Sequence, residues 1–336
     1  MATFFLLLLA VLPSTISALS VWSYNIMDSG FASSSGVWDP VGNRIPGNLT
    51  DFLRTSAARH VDVLGIVETA AWTRNGSTDH PGYIDIAESW GFSHVHVRSN
   101  CAIMSKKNMS VLEEPEEGSS TIVASIDGVI YIVTSMSSES YASKYEDFKR
   151  LGELVNRYDD QGELILMGDL NAISPLDSPR YNQTLLCGNG TYNPNTHSGE
   201  YVINFCLPPE EENATKTSEL NSENWMLDFK PMETLLTTTN LTDLCFVEGG
   251  FYDADPDRIG QFSSCAFSNP TLLIRMTGSH ADAPSAYKHA QAKIDYILAN
   301  KKMLESDRFV FHHSTVLRSF QADGCSDHYP IEATFL

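Results

Sequence analysis

Residues 164–171 read Leu-Ile-Leu-Met-Gly-Asp-Leu-Asn, an apolar run that ends in a glycine and then in isolated polar residues. Apolar or β-branched runs of this length, bounded by turn residues, are typical of buried strands rather than helices. Comparable runs recur along the chain, at residues 21–24, 63–67, 102–105, 122–126, 129–134, 294–298, 309–312 and 331–335. The chain is therefore predicted to be built around β-sheets.

Helical patterns lie between these strands. Residues 48–51, Asn-Leu-Thr-Asp, can cap a helix that runs to His60. Residues 140–158 place six large side chains close to one helical face, namely Tyr145, Phe148, Leu151, Leu154, Val155 and Tyr158. Alternating helices and strands, together with consecutive strands joined by tight turns, predict an α/β sandwich in which sheets pack together and helices cover them.

Two segments depart from this pattern. Residues 174–230 are rich in Asn, Ser, Thr, Pro and Glu and show little periodicity, and residues 249–291 form a second irregular stretch. No internal repeat or linker divides the chain. We therefore expect a single domain over residues 19–336, with two disulfide-stapled surface excursions.

The composition disfavours polyanionic partners. The 336 residues include 42 acidic and 22 basic side chains, which gives a formal net charge of −20. Nucleic acids and anionic membranes are held chiefly by Lys and Arg, so a protein that coats either of them is disfavoured. The hydrophobic fraction of 42% is that of a folded globular protein.

The first eighteen residues resemble a secretory signal peptide. Residues 1–18 contain no charged side chain, carry an apolar run at 4–12 and end in Ile16-Ser17-Ala18. Cleavage is predicted near Ala18. The run is too short for a membrane span, which needs ~20 residues. The mature protein is therefore expected outside the cell or in the lumen of the endomembrane system.

Sequons and cysteines agree with this route. Seven Asn-x-Ser/Thr motifs occur, at Asn48, Asn75, Asn108, Asn182, Asn189, Asn213 and Asn240. The six cysteines lack Cys-x-x-Cys spacing, so disulfides are favoured over a zinc site, and fifteen connectivities are open. The preferred pairing is Cys187 with Cys206, Cys245 with Cys265, and Cys101 with Cys325.

Isolated polar residues stand at the ends of several strands. An α/β scaffold commonly places its functional site at such an edge. Taken singly, each of these residues is more often a solvated loop residue, a turn or a cap. The five places are Asn25, Glu68, Asp169 with Asn171, Asp295, and Asp327 with His328.

Together and in this order, these motifs resemble the endonuclease/exonuclease/phosphatase superfamily, also called the DNase-I-like fold. Its motifs read approximately W-N, Q-E, G-D-x-N, I-D-Y and S-D-H. The resemblance covers nearly all of residues 19–336. It implies a four-layer α/β sandwich, two packed sheets flanked by helices, and a metal-dependent phosphoric ester hydrolase.

The predicted metal ligands are Asn25, Glu68 and Asp327. The two carboxylates are hard oxygen ligands suited to Mg²⁺, with Mn²⁺ as an alternative. Asn25 either adds a carbonyl ligand or holds Glu68 in place. Val67 precedes Glu68 where the superfamily often has Gln or Asn, but the ligand itself is present.

The resemblance also implies the catalytic roles. Asp169 would orient and deprotonate the attacking water, and Asn171 would donate a hydrogen bond to the phosphate. His328 would face the phosphate as a cation or donor, with Asp295 accepting from its other ring nitrogen. These residue types suit metal-assisted phosphoryl transfer to water.

Ser135 departs from the pattern. Phosphodiesterases of this superfamily commonly carry a second catalytic histidine at this point, and serine cannot carry positive charge. Ser135 is therefore expected to bind substrate by a hydrogen bond at most. Four histidines on other segments are candidates to fill the gap, namely His94, His96, His280 and His289.

Two functional hypotheses follow. The first is a secreted phosphodiesterase acting on a phosphate ester, either a nuclease or a phospholipid or sphingomyelin headgroup hydrolase. The net charge disfavours nucleic acid, and a lipid surface remains an alternative that involves no membrane span. The second is a glycosylated binding protein that keeps the scaffold but has lost turnover, which the serine at position 135 motivates.

Overall fold

The computed structural model describes most of the domain. The described residues are 18–26, 52–57, 60–69, 87–113, 120–136, 141–180, 206–207, 226–249, 293–317, 328 and 330–336. The predicted signal peptide and the excursion at 249–291 lie almost entirely outside them. No helix among the described residues is long and apolar enough to cross a membrane.

The described residues form fourteen strands. In chain order they are β1 (Leu19–Asn25), β2 (Val63–Val67), β3 (His94–Arg98), β4 (Cys101–Ser105), β5 (Met109–Glu113), β6 (Thr121–Ile126), β7 (Val129–Ser135), β8 (Leu164–Asp169), β9 (Cys206–Leu207), β10 (Met226–Leu227), β11 (Leu241–Asp243), β12 (Asp295–Asn300), β13 (Phe311–Val316) and β14 (Ile331–Phe335). The helices are α1 (Tyr141–Asp159), α2 (Lys230–Thr238), α3 (Leu244–Gly249) and α4 (Lys301–Leu304), with a π-helical turn at Leu53–Ala57 and a 3-10 turn at Pro175–Arg180.

The strands assemble into two six-stranded sheets and one two-stranded ribbon. The first sheet has the order β13-β14-β1-β2-β4-β3 and the second the order β11-β12-β8-β7-β6-β5, while β9 pairs with β10. Each large sheet has one parallel pair at its centre, β1 with β2 and β7 with β8, flanked by antiparallel pairs. The carboxyl ends of each central pair therefore lie at one edge of their sheet.

The two sheets pack face to face. Residues that alternate along the central strands, such as Val21, Val133, Met167 and Ile297, are buried in one apolar core. A Cβ built on Gly65 would lie 2.8 Å from the sulfur of Met167. A glycine at this position therefore lets the second sheet approach closely.

Helices cover the outer faces. Helix α1 packs Phe148, Leu151 and Val155 into a second core shared with α2 and the second sheet. On the other side of the molecule, the ring of Phe52 lies 6.1 Å from those of Trp22 and Tyr24, which alternate with Val21 along β1. The architecture is the predicted α/β sandwich.

All nine predicted strands are present, with small shifts at their ends. The largest shift moves the strand expected at 309–312 to Phe311–Val316. Of the helix expected to end at His60, the structure describes helical backbone at 52–57 and at His60. The excursion at 174–230 contains the 3-10 turn and the β9–β10 ribbon in its described part.

Two of the predicted disulfides are not formed. Cys101 is a free, fully buried thiol that donates a hydrogen bond to the carbonyl oxygen of Ser120 at 3.0 Å. Its predicted partner Cys325 lies outside the described residues. The Cys101 thiol faces the space between the sheets, where a backbone carbonyl satisfies it, and burial raises its pKa. The predicted pairing of Cys245 with Cys265 is not formed either, because Cys245 carries no disulfide and its sulfur lies 3.3 Å from Oγ of Ser314. Cys265, and Cys187 of the third pairing, lie outside the described residues.

Candidate functional site

Polar side chains converge where the carboxyl ends of the central strands of both sheets meet. In the second sheet, Asp169 at the end of β8 is in register with Ser135 on β7 and with Asp295 on β12. Because paired residues share a face, these three side chains lie on the side of the sheet that faces the first sheet. Asn25 and Glu68 approach them from the ends of β1 and β2.

Asn25 joins the two sheets. Its side-chain nitrogen donates to Oε1 of Glu68 at 2.9 Å and to Oδ2 of Asp169 at 3.0 Å. The Asn25 side chain is fully buried, so water does not weaken these two hydrogen bonds. Of the two roles predicted for Asn25, this geometry corresponds to holding Glu68 in place.

Unusual backbone conformations aim the side chains at this edge. Glu68 and Asn171 are left-handed non-glycine residues, with φ of 62° and 47°. Such conformations cost ~1–3 kcal/mol and cluster at functional sites. Gly168 has φ of 144°, and a Cβ there would lie 1.8 Å from the carbonyl oxygen of Thr134. The glycine of the Gly-Asp-Leu-Asn motif is thus required by the close approach of β7.

The turn after β8 is held by hydrogen bonds on several sides. The backbone N–H of Asn171 donates to Oδ1 of Asp169 at 2.8 Å, and the side-chain nitrogen of Asn171 donates to the carbonyl oxygen of Met136 at 2.9 Å. From α1, the ammonium of Lys144 donates to the carbonyl oxygen of Asn171 at 2.8 Å. Asp169 and Asn171 therefore have a fixed relative placement.

Burial dominates the titration of Asp169. Loss of solvent raises its pKa to about 8, and the nearby charges of Asp295 and Glu68 act in the same direction. His328 and the Asn171 amide oppose this shift. A carboxyl group whose pKa lies near neutrality is well matched to taking a proton from water.

His328 and Asp295 form the predicted pair. Nδ1 of His328 lies 2.7 Å from Oδ2 of Asp295, and both side chains are buried. Because a carboxylate can only accept, the hydrogen of this bond is on Nδ1. The bond fixes the orientation of the imidazole ring.

A comparison with known protein families identifies the family of this chain. The sequence model of the Endonuclease/Exonuclease/phosphatase family matches residues 42–328. The chain belongs to this family. No curated protein sequence matches it significantly.

Solved structures share the fold of this family member. An AP endonuclease from Archaeoglobus fulgidus is 15% identical, with 94% of this chain and 99% of that chain covered and a TM-score of 0.56. A 3'-5' exonuclease from Neisseria meningitidis is 16% identical, with 94% and 99% covered and a TM-score of 0.52. A 3' phosphatase from Neisseria, bound to product DNA hairpin, is 16% identical, with 95% and 99% covered and a TM-score of 0.53.

The family is one of divalent-metal-dependent phosphoesterases, and this member has side chains that fit a cation. One ligand atom from each of Glu68, Asp169 and His328 lies within 4.8 Å of the others. A half-buried carboxyl group, Glu68, and a buried one, Asp169, this close together repel one another unless a proton or a cation lies between them. The predicted ligand Asp327 lies outside the described residues.

Thr69 is a buried polar residue next to this cluster in the sequence. It follows Glu68 directly, its side chain is fully buried, and its hydroxyl has no hydrogen-bond partner among the described residues. A buried hydroxyl is normally bonded to protein or to ordered water. The donor set of Glu68, Asp169 and His328 fits a divalent cation.

The sequence did not single out Lys144 or a role for Thr69. Lysine in an amphipathic helix is normally exposed, so only the break in the polar face of α1 could have marked Lys144. Among the four histidines considered as replacements at Ser135, His94 and His96 lie on the edge strand β3, separated from β2 by β4. His280 and His289 lie outside the described residues.

Proposed function

We propose that this protein is a secreted, Mg²⁺-dependent phosphodiesterase, with Mn²⁺ as an alternative ion. The observation that carries the proposal is the cluster of half-buried Glu68 with buried Asp169 and His328, in which His328 is bonded to Asp295. A cluster of this composition suits hydrolysis of a phosphate ester by water.

Glu68 would hold the cation and Asn25 would hold Glu68, with Asp327 predicted as the second carboxylate. A divalent cation bound here neutralises charge on the phosphate. Asp169 accepts the proton of the attacking water, for which its raised pKa is suited. Asn171 donates to a phosphate oxygen, and His328 stabilises the charge that develops in the transition state.

The substrate is proposed to be a small phosphate ester rather than long nucleic acid. The net charge of −20 opposes broad, sequence-independent binding of DNA or RNA. A phospholipid or sphingomyelin headgroup agrees equally well with the proposed secretory route. The apolar leader and the sequons support that route, whereas the buried thiol of Cys101 does not.

Hydrolysis of an activated aryl phosphodiester tests the proposal. Purified protein should release the aryl alcohol in Mg²⁺ or Mn²⁺ and stop in EDTA. Replacing Glu68 or Asp169 by Ala should lower the rate by about 10²-fold or more. Glu153→Ala is the matched control, because Glu153 is an exposed carboxylate on α1. A panel of DNA, RNA, phospholipid, sphingomyelin and phosphoinositide then identifies the substrate. An absence of metal-dependent turnover on all of them would refute the proposal.

Ser135 favours a second candidate, a binding protein without turnover. It is in register with Asp169 and faces the same side, where the superfamily commonly has a histidine. Losing one transition-state donor costs about 10²–10³ in rate. Ser135→His separates the two candidates. A large gain from an inactive wild type supports the binding protein, whereas an active wild type that loses activity on Asp169→Ala excludes it.

A further inference from the structure

Lys144 is a buried cation without a role in the proposed chemistry. Its side chain, on α1, is 3% exposed, and burial lowers its pKa to about 8. Removing an ammonium group from water is costly unless specific partners receive it. Its ammonium donates to the carbonyl oxygen of Asn171 at 2.8 Å.

The Asn171 peptide needs support of this kind. Its φ of 47° is unfavourable for a residue other than glycine. Its N–H is bonded to Asp169, so a rotation of Asn171 would also move the carboxylate. A charge-assisted hydrogen bond is roughly twice as strong as a neutral one. Lys144 therefore holds the Asn171 carbonyl more firmly than a neutral donor would.

Charge adds to this contact. Lys144 is attracted by Asp228 and, more weakly, by Asp169. Asp228 is itself bonded to the hydroxyl of Tyr145, the next residue of α1, at 2.8 and 2.7 Å. This contact connects the start of α1 to the segment before α2, and it keeps Lys144 next to the turn that follows β8.

We propose that Lys144 is a positioning residue of the active site. Its ammonium holds the backbone carbonyl of Asn171, and Asn171 and the Asp169 carboxylate thereby keep their relative placement. The inference rests on the proposed function for its catalytic consequence. The placement of the peptide is a property of the protein with or without turnover.

Four variants separate a positioning role from a role in folding. Lys144→Met keeps the length of the side chain without its charge, and Lys144→Arg keeps the charge. Lys149→Met is the matched control, because Lys149 is exposed on the same helix. Lys144→Gln is a second neutral variant that covers failure of the methionine variant to fold.

Steady-state kinetics on the aryl phosphodiester gives the first measurement. Lys144→Met should lower kcat by about 10- to 100-fold, because a misplaced group costs rate steeply. KM should change little, and Lys144→Arg should recover much of kcat. Equal kcat values for Lys144→Met and wild type would overturn the inference. So would a loss of kcat that follows the loss of folded protein and that Lys144→Arg does not restore.

Amide hydrogen exchange gives a measurement that needs no turnover. The Asn171 N–H should exchange about tenfold faster in Lys144→Met than in wild type or Lys149→Met, with the α1 amides unchanged. Unchanged exchange at Asn171, or faster exchange everywhere, would overturn the inference. If no protein turns over any substrate while Asn171 alone exchanges faster, the proposed function fails and the positioning role stands. If neither neutral variant folds and Lys144→Arg does, the role is structural and the inference fails.

Discussion

Asp169 is buried among other acidic groups, and its protonation is therefore coupled to folding. Its pKa rises from 3.8 in the unfolded chain to about 8 in the folded protein. Between these two values the native state binds a proton that the unfolded state releases. The native state is thus destabilised, relative to acid pH, as the pH rises through this interval.

Asp169→Asn should remove this dependence. In EDTA, the unfolding free energy of the wild type should fall relative to the variant by up to about 1.4 kcal/mol per pH unit, because one proton is involved. The fall should begin near pH 3.8 and stop near pH 8. Urea denaturation of both proteins at several pH values measures the difference. A difference that does not vary with pH would mean that Asp169 is ionised at neutral pH.

Replacing Thr69 by valine should have opposite effects on the stability of the fold and on the affinity for a divalent cation. Without metal, Thr69→Val should raise the unfolding free energy by about 1 kcal/mol, because a buried hydroxyl with no partner among the described residues is replaced without leaving a cavity. With Mn²⁺, the same variant should bind several-fold more weakly, because the hydroxyl is expected to bond a metal-bound water. Denaturation in EDTA and calorimetric titration with Mn²⁺ measure the two.

Thr69→Ser is the control for this pair, because it keeps the hydroxyl and should keep the Mn²⁺ affinity. A valine variant that is less stable in EDTA would show that the hydroxyl has a partner within the protein itself. In that case it would not indicate a cation.

At the scale of elements, the junction of β7 and β8 sets the geometry of the site. Gly168→Ala should destabilise the fold by about 3 kcal/mol or more, because its Cβ would meet the Thr134 carbonyl at 1.8 Å and its φ is positive. Gly162→Ala is the control, since its nearest atom would be 3.9 Å away. Equal denaturation midpoints for both variants would contradict the close approach of these strands.

The sequence predicted the central strands because they are continuous apolar runs. It missed β3, whose residues 94–98 read His-Val-His-Val-Arg, because a half-exposed edge strand mixes polar and apolar side chains. It also missed β5, where a register irregularity between Val111 and Glu113 breaks the alternation. Local pattern reveals strands whose two faces are both buried, and it missed three of the four edge strands of the large sheets, β3, β5 and β11.

For the site, the order of polar residues at the ends of strands was enough to predict the set of Asn25, Glu68, Asp169, Asn171, Asp295 and His328, although Asp295 begins β12 and His328 precedes β14. The contacts between the two sheets could not be predicted from the sequence. The two hydrogen bonds that Asn25 donates, one to Glu68 and one to Asp169, depend on the spacing of the two sheets. That spacing depends in turn on packing such as Met167 against Gly65, which no local pattern encodes.

At the scale of the whole molecule, the site is assembled from both sheets. Asn25 and Glu68 come from the first sheet, and Asp169, Asp295 and Ser135 from the second. A ligand held between them binds the folded protein and not the separated strands. Its binding free energy is therefore added to the stability of the whole domain.

Divalent cations should consequently raise the melting temperature. At 100 times Kd, a single site adds about 2.7 kcal/mol to the unfolding free energy. The net charge of −20 complicates this measurement, because any cation relieves repulsion on so acidic a surface. Melting in MgCl₂ is therefore compared with melting in NaCl at equal ionic strength, for wild type and for Glu68→Ala. The wild type should gain an increment specific to Mg²⁺ that saturates, and Glu68→Ala should retain only the gradual gain common to both salts. If Glu68→Ala keeps the saturating increment, the cation binds elsewhere on the acidic surface and the cluster at the sheet edge is not its site.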